Sequence, residues 1–270
     1  MALPSPAPDG TALVTGASAG IGEAFARALA ERGHGVTLVA RRADRLEKLA
    51  AELSEAHGIR AEAVPADLAS ANACEKLVAE VEQRGLHVDV LVNNAGFGIY
   101  GPFGSAPLDR EFEQLAVLIG AVVDLTGRLL PGMLERGAGT IINMSSTAGF
   151  QPLPGNANYA ACKSFVLLHS EALRAELKGK GVSVTAVCPG PVRSEFQETS
   201  GPKFADGLPK FTWTTPERVA ADGLKAAARN RRAVIPGGLG PKLFFGLNRV
   251  TPSAVALPVA RKIMAKDLDG

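Results

Sequence analysis

The chain has few of the features that mark secreted, metal-binding or membrane proteins. Its 270 residues include three cysteines, Cys74, Cys162 and Cys188, and four histidines, all far apart in sequence. An odd number of scattered cysteines favours a reducing compartment, and the lack of metal-ligand spacing argues against a structural metal. No apolar run approaches the roughly 18 residues of a membrane span, and a net charge of +2 leaves no basic footprint for nucleic acid. We therefore expect a cytoplasmic protein that binds neither metal ions nor nucleic acid and has no transmembrane segment.

The chain does have a regular alternation of strand and helix patterns. Predicted strands cover residues 11–15, 35–40, 61–66, 88–92, 140–145, 182–188 and 233–236. Predicted helices cover residues 21–32, 43–57, 71–84, 109–136, 157–178 and 216–229. Such alternation predicts an α/β fold, a doubly wound parallel sheet of about seven strands with helices on both faces.

The same pattern predicts one domain between two short segments. Residues 1–9 lack the basic start and apolar centre of a signal peptide, so we expect a disordered lead before a domain over 10–240. Residues 241–270 form an extension that is apolar, broken by proline and basic at its edges. This extension can cover a substrate cleft, pack against a second subunit or contact a membrane surface. We favour core or subunit packing.

A glycine-rich turn lies between the first predicted strand and the first helix. Residues 15–22 read TGASAGIG, with Gly16, Gly20 and Gly22 separated by Ser18, Ala19 and Ile21. At a strand-to-helix turn, backbone N–H groups at the helix N-terminus can hold a pyrophosphate. The spacing G-x-x-x-G-x-G is one residue longer than the usual G-x-G-x-x-G. We predict a dinucleotide site in a Rossmann-like fold.

The end of the second strand indicates which dinucleotide is bound. The run 36–40 ends without a carboxylate and is followed at once by Arg41 and Arg42, about twenty residues past the glycines. An acid there would bind the ribose 2′-hydroxyl of NAD, whereas arginine accommodates the 2′-phosphate of NADP. Ser18 can add a second hydrogen bond to that phosphate. The sequence therefore predicts NADP(H).

A tyrosine and a lysine four residues apart supply candidate chemistry. Tyr159 and Lys163 fall on one face of a predicted helix. There the ammonium can stabilise the phenolate, so that the phenol exchanges a proton with an alcohol or carbonyl oxygen near neutral pH. Ser146, thirteen residues before Tyr159, can hold the same oxygen. Ser145 competes for that role, but it points the opposite way on a strand and is predicted to be buried structure.

Together these motifs resemble the short-chain dehydrogenase/reductase family of the Ser-Tyr-Lys type. Further family positions follow in order: Asn93-Asn94-Ala95-Gly96 after the fourth strand, Asp67-Leu68 after the third, and Pro189-Gly190-Pro191-Val192-Arg193-Ser194. The resemblance covers about residues 10–240. It implies an NADP(H)-dependent oxidoreductase that interconverts a ketone and a secondary alcohol.

The resemblance also implies roles for individual residues. Cofactor contacts fall on the glycine motif and on Asp67, Leu68, Asn94, Ala95, Gly96, Tyr159, Lys163, Pro189, Gly190, Val192 and Ser194. Ser146 orients the substrate, Tyr159 is the acid/base, and Lys163 lowers its pKa and holds the nicotinamide ribose. Residues 195–215 correspond to a substrate lid. The pattern resembles actinobacterial family members described as ketoacyl or long-chain-lipid reductases, so we expect a small apolar substrate and a homodimer or homotetramer.

One position departs from the family. The helix after N-N-A-G usually carries an asparagine that holds a water linking the lysine to solvent. Counting from Asn93 places Leu118 there, and no asparagine occurs between Asn94 and Asn143. Leucine has no hydrogen-bonding group, so this water is either held otherwise, for instance by Gln114, or absent. The first alternative predicts an active enzyme, which we favour because the Ser-Tyr-Lys set is complete. The second predicts an NADP-binding structural or regulatory protein with weak or no catalysis.

Overall fold

A parallel sheet of seven strands forms the centre of the computed structural model, which describes residues 3–195 and 208–268, with side chains as far as Lys262. The strands are β1 (Gly10–Thr15), β2 (Gly35–Ala40), β3 (Ala61–Pro65), β4 (His87–Asn93), β5 (Gly139–Met144), β6 (Val182–Val187) and β7 (Ala233–Val234). Their order is β3-β2-β1-β4-β5-β6-β7, and every pair is parallel. The predicted doubly wound sheet is confirmed.

Helices cover both faces of this sheet. They are α1 (Gly20–Ala30), α2 (Ala43–His57), α3 (Ala73–Gln83), α4 (Leu108–Leu115), α5 (Ala121–Glu135), α6 (Ala157–Glu176), α7 (Pro216–Ala228), α8 (Leu239–Asn248) and α9 (Ser253–Leu268). One apolar cluster joins α1, α2 and α7 to the sheet, and a second joins α3 and α5 to the opposite face. Both faces are therefore buried, which is why β1, β5 and β6 are buried at every residue.

Small residues set the spacing between these layers. A Cβ at Gly223 in α7 would lie 2.7 Å from the ring of Phe25 in α1, a side chain with no exposed surface. Because glycine has no Cβ, the two helices can approach each other over the phenylalanine ring. Burial of one such aromatic side chain contributes roughly 1.5–3 kcal/mol. The position of α1 over the sheet in turn fixes the glycine turn that precedes it.

The long helix predicted over 109–136 contains an irregular turn. Helices α4 and α5 are joined without a break by a π-helical turn, Ala116–Gly120, which holds Leu118 at its centre. Such a turn adds one residue to the helical repeat and often marks a functional site. By length and hydropathy Leu108–Glu135 also qualifies as a membrane span. However, Leu125 and Met133 in α5 belong to the core cluster on the sheet.

The two ends of the chain contain more structure than the sequence indicated. In the predicted lead, Leu3 packs against the core and the Asp9 carbonyl accepts a hydrogen bond from His87 N at 2.9 Å. In the predicted extension, α8 and α9 form a pair bent by 114°, and the expected boundary at residue 240 falls within α8. Of the predicted lid, residues 196–207 lie outside the described residues.

Candidate active site

A cleft of about 780 Å³ opens at the carboxyl edge of the sheet. It crosses β1 and β4, where the strand order reverses and where ligands bind in open α/β sheets. The predicted site residues that line it are Gly16, Ser18, Ala19, Gly20, Ile21, Arg41, Arg42, Asp67, Leu68, Asn94, Ala95, Gly96, Ser146, Tyr159, Lys163, Pro189, Gly190, Val192 and Ser194. The structure thus brings together residues from almost the whole length of the domain.

Gly22 is the one predicted residue that does not line the cleft. A Cβ at this position would lie 2.2 Å from the Gly16 carbonyl oxygen. The glycine therefore lets α1 pack closely against the turn. In the structure Gly22 permits close packing of the helix against the strand, which is one of the functions of glycine in such motifs.

The glycine turn has the form of a phosphate cradle. Gly16 and Gly20 adopt φ values of +68° and +59°, which residues with a Cβ rarely tolerate. Helix α1 begins after Ala19, which has no side chain that can cap the first N–H groups. Those N–H groups face the cleft at the positive end of the helix dipole. The residues present fit a dinucleotide pyrophosphate at this position.

Thr15 links this cradle to the next loop, a contact that sequence reasoning missed. Its Oγ1 accepts hydrogen bonds from the backbone N–H groups of Asn94 and Ala95, both at 2.9 Å. The Asn94 side chain returns a hydrogen bond from Nδ2 to the Thr15 carbonyl at 2.9 Å. The two cofactor loops are therefore held in a fixed relation. The threonine directly before the first glycine was the signal in the sequence.

The two arginines that follow β2 point in different directions. Arg42 donates from Nε and Nη2 to Ser18 Oγ at 3.1 and 2.9 Å. Arg41 lies with Nη1 3.4 Å from Glu113 Oε1, across the cleft. The predicted combination of an arginine with Ser18 is thus present through Arg42, whereas Arg41 is held by a carboxylate of α4.

Ser146, Tyr159 and Lys163 lie together in the wall of the cleft. The Ser146 hydroxyl hydrogen-bonds Tyr159, and Lys163 Nζ lies 5.5 Å from the centre of the Tyr159 ring while donating to the Met144 carbonyl at 2.8 Å. Each of the three side chains is less than a tenth exposed. Ser145 instead donates to the Lys163 carbonyl at 2.6 Å, so it links the end of β5 to α6.

Burial, not the lysine charge, dominates the proton affinities at this site. Burial raises the pKa of Tyr159 well above its usual value, and the Ser146 hydrogen bond offsets this only in part. Burial also lowers the pKa of Lys163 from 10.5 to about 8. The expectation that Lys163 lowers the pKa of Tyr159 stays a prediction, because burial is the largest influence on both groups here. Because burial also disfavours the charged form of Lys163, its ammonium stabilises the Tyr159 phenolate less than the four-residue spacing on the helix suggests.

Leu118 is packed in the centre of this site. It forms a cluster with Tyr159 and Cys162, and its Cδ2 would lie 2.5 Å from a Cβ on Gly96. Gln114, one turn earlier, is 1% exposed and donates from Nε2 to the Phe97 carbonyl at 3.2 Å. Its Oε1 is buried and has no hydrogen-bond partner among residues 3–195 and 208–262. A buried acceptor of this kind is suited to holding a water.

The far wall of the cleft comes from the C-terminal helices. Phe244, Phe245, Val255 and Val259 line it, opposite Leu153. A Cβ on Gly190 would lie 2.6 Å from the Phe245 ring, so α8 rests directly on the loop predicted to hold nicotinamide.

Gln151 fixes the elbow between α8 and α9 to the loop that carries Ser146. Its Nε2 donates to the carbonyls of Asn248 and Thr251, the second at 2.6 Å. We call the part of the cleft over the glycine turn the groove, and the part lined by Leu153, Phe244, Phe245, Val255 and Val259 the apolar chamber. The glycine motif in the sequence predicted the groove, but no sequence pattern indicated the hydrogen bonds of Gln151 to the C-terminal helices.

The fold and the cleft define a dinucleotide-dependent oxidoreductase of the α/β class. A family model described as short chain dehydrogenase matches residues 10–204. The chain belongs to the short-chain dehydrogenase/reductase family, whose members use a nicotinamide cofactor and act on small molecules.

Relatives agree in chemistry but differ in length. A very-long-chain 3-oxoacyl-CoA reductase of Anas platyrhynchos is 38% identical over 74% of this chain and 65% of its own length. The ketoacyl reductase HetN of Nostoc sp. strain PCC 7120 is 33% identical over 91% of this chain and 86% of its own length. The structure of a short-chain dehydrogenase from Sphingobium yanoikuyae in complex with NADPH superposes with a TM-score of 0.77 at 30% identity, covering 96% of both chains.

Proposed function

We propose that this protein is an NADP(H)-dependent reductase that interconverts a ketone and a secondary alcohol on an apolar, acyl- or lipid-like substrate. One observation carries the proposal. Ser146 and Tyr159 stand between a groove suited to a dinucleotide and an apolar chamber closed by α8 and α9. A carbonyl group that enters the chamber meets the hydroxyl groups on one side and the groove on the other.

The bound nicotinamide would supply the hydride, and the chain's own residues would handle the oxygen. Ser146 and Tyr159 both present hydroxyl groups that can donate to a carbonyl oxygen. Because burial keeps the pKa of Tyr159 high, the phenol is protonated at neutral pH and ready to give its proton as the alcohol forms. Exclusion of water by the surrounding apolar cluster strengthens these hydrogen bonds.

Preference for NADP(H) is supported by the position of Arg42. Its guanidinium lies beside the glycine turn with Ser18 on two of its nitrogens. A charge-assisted hydrogen bond is worth roughly 1.5–3 kcal/mol, so loss of a phosphate contact changes affinity about tenfold or more. The Sphingobium relative was solved with NADPH.

An apolar substrate is supported by the composition of the chamber wall. Phe245 is 6% exposed, and its neighbour Phe244 stands edge-on to it at 5.1 Å between ring centres. Two relatives are named for oxoacyl and ketoacyl substrates. Because the first of these is much longer than the aligned region, its substrate comes to this chain only as part of the proposal.

The alternative function is that of an NADP-binding protein with little or no catalysis. The buried Leu118, which replaces the usual asparagine, is the observation in its favour. Gln114 favours the enzyme, because its buried Oε1, which lacks a hydrogen-bond partner in the described part of the chain, is an acceptor that can hold a relay water.

We also propose a cytoplasmic homodimer or homotetramer. Leu108 and Phe112 of α4 are 62% and 60% exposed, which supports self-association through this helix. Light scattering of purified protein tests the oligomeric state.

NADPH oxidation with a panel of 3-oxoacyl thioesters and simple ketones tests the function. We expect kcat/KM to rise with acyl length until the chamber is filled, since each buried CH₂ contributes about 0.8 kcal/mol. Tyr159→Phe is the matched control, because it keeps the ring and removes only the transferable proton. Tight NADPH binding without turnover on any member of the panel would favour the binding protein.

A further inference from the structure

Two arginines converge on a single carboxylate at the end of the cofactor groove. Arg42 Nη1 lies 2.9 Å from Glu195 Oε2. Arg45, in the first turn of α2, places Nη1 2.8 Å from Oε1 and 3.0 Å from Oε2 of the same glutamate. Arg42 Nη2 also donates to Ser18 Oγ at 2.9 Å, so the serine belongs to the same cluster. Arg45 lies outside the predicted cofactor motifs, and Glu195 is the first residue of the predicted lid.

The cluster stands directly beside the phosphate cradle. Ser194, the residue before Glu195, packs against the glycine turn, since a Cβ on Gly20 would lie 3.3 Å from Ser194 Cβ. Arg42, Ser18 and Glu195 all line the cleft. The carboxylate therefore lies at the end of the groove where the second strand ends and where the adenosine ribose of a dinucleotide is bound.

The chemistry of the cluster matches a phosphate better than it matches a carboxylate. Guanidinium groups bind carboxylates and phosphates in the same bidentate manner, and a phosphate offers more oxygens and more charge. Both Arg42 and Arg45 are about two-fifths exposed, as is Glu195. Ion pairs exposed to this extent are weak, so a dianion can displace the carboxylate. A 2′-hydroxyl, as in NAD(H), cannot.

We propose that Arg45 joins Arg42 and Ser18 as a ligand of the 2′-phosphate of NADP(H), and that Glu195 occupies this site in the free protein and must leave it when the phosphate binds. Arg45 is then a further residue that determines cofactor specificity. Glu195 is an internal competitor that lowers the affinity for NADP(H) and leaves the affinity for NAD(H) unchanged. This inference rests on the proposed preference for NADP(H).

Cofactor titration of single and double variants tests both parts. Dissociation constants for NADPH and NADH are measured by cofactor fluorescence in Glu195→Gln, Arg45→Ala and the double variant. Glu195→Gln should tighten NADPH binding about threefold to tenfold and change NADH binding less than twofold. Arg45→Ala should weaken NADPH binding at least fivefold, both in the wild-type background and with Gln at 195.

The double variant separates a phosphate ligand from a simple partner of Glu195. If Arg45 only pairs with Glu195, its removal has no effect once residue 195 is glutamine, and the proposed role of Arg45 is wrong. The matched control is Glu52→Gln, which breaks an exposed ion pair of similar length with Arg27, 2.7 Å, on α2 outside the cleft. NADPH binding should not change in that variant. A tighter complex there would attribute the effect of Glu195→Gln to net charge and overturn the competition.

The dissociation constants distinguish an error in this inference from an error in the proposed preference for NADP(H). If Arg42→Ala abolishes the preference for NADPH while both new variants bind like the wild type, the preference stands and the inference falls. If the wild type binds both cofactors equally but Glu195→Gln prefers NADPH, the site exists and Glu195 masks it. Equal binding of both cofactors by every variant would overturn both.

Discussion

Replacing Lys163 by methionine should make the protein more stable at neutral pH while abolishing its activity. Burial lowers the pKa of Lys163 from 10.5 to about 8, so at pH 7 the folded state holds a charge that it disfavours relative to the unfolded state. A shift of one pKa unit corresponds to about 1.4 kcal/mol, so the charge destabilises the fold by roughly 3 kcal/mol. Methionine removes this cost and fills a similar volume.

The hydrogen bond that Lys163 donates to the Met144 carbonyl reduces the gain. Losing it at 2.8 Å costs about 1 kcal/mol, which leaves Lys163→Met about 2 kcal/mol more stable than the wild type at pH 7. The advantage depends on pH. Because the folded pKa is the lower one, the destabilisation is complete below about 8 and disappears as pH rises through the unfolded value. Between pH 7 and 9.5 the advantage should shrink by about 2 kcal/mol.

Urea unfolding at several pH values measures this difference directly. Groups common to both proteins cancel, so the change in the difference reports Lys163 alone. Lys225→Met, which replaces an exposed lysine of α7, is the matched control and should show parallel profiles with the wild type. Parallel profiles for Lys163→Met as well would refute the argument, because Lys163 would then have the same pKa in the folded and unfolded states.

Four further substitutions test the site itself. Tyr159→Phe should lower kcat at least a hundredfold, since general acid catalysis contributes about 10²–10⁴, while the Kd for NADPH stays within about twofold; near-normal turnover would exclude Tyr159 as the proton donor. Gln114→Leu should slow turnover and Leu118→Asn should change it little; a clear rise of kcat in Leu118→Asn would show that the relay is broken in the wild type. Phe245→Ala should flatten the dependence of kcat/KM on acyl length, and an unchanged dependence would place the acyl chain elsewhere.

The sheet, its topology and the residues that line the cleft could be predicted, because they depend on local sequence patterns. Apolar runs fix which segments are buried strands, and the glycines of residues 16–22 fix a turn whose geometry few other residues allow. The order of these elements along the chain then leaves few right-handed arrangements. Loops that follow β1, β3 and β4 necessarily meet at one edge of the sheet, so the sequence could predict which residues line the cleft.

Contacts between segments that are distant in the chain could not be predicted from the sequence. Arg45 and Glu195 are separated by 150 residues, and neither has a local pattern that indicates the other. The π-helical turn at Leu118 was hidden because its residues are as apolar as those of a regular helix. The effect of burial on the pKa values of Tyr159 and Lys163 was hidden for a different reason. Spacing shows which charge is near Tyr159, but desolvation depends on every atom packed around the pair, and here it outweighs the charge.

A chain of buried polar groups sets the register of α6, and with it the position of Tyr159. Asn93 Nδ2 donates to Asn143 Oδ1 at 2.9 Å, and Asn143 Nδ2 donates to Ser170 Oγ at 2.9 Å. Leucine at position 143 would remove both of these hydrogen bonds, although Asn93 Nδ2 would keep its bond to Thr126 Oγ1 at 3.2 Å and Ser170 Oγ its bond to the Val166 carbonyl at 2.6 Å. A shift of α6 along the sheet would break the bond from Asn143 and leave its buried Nδ2 unpaired, which costs about 1–3 kcal/mol. Apolar contacts alone would tolerate such a shift, and the hydroxyl groups of Ser146 and Tyr159 would then no longer meet at one oxygen.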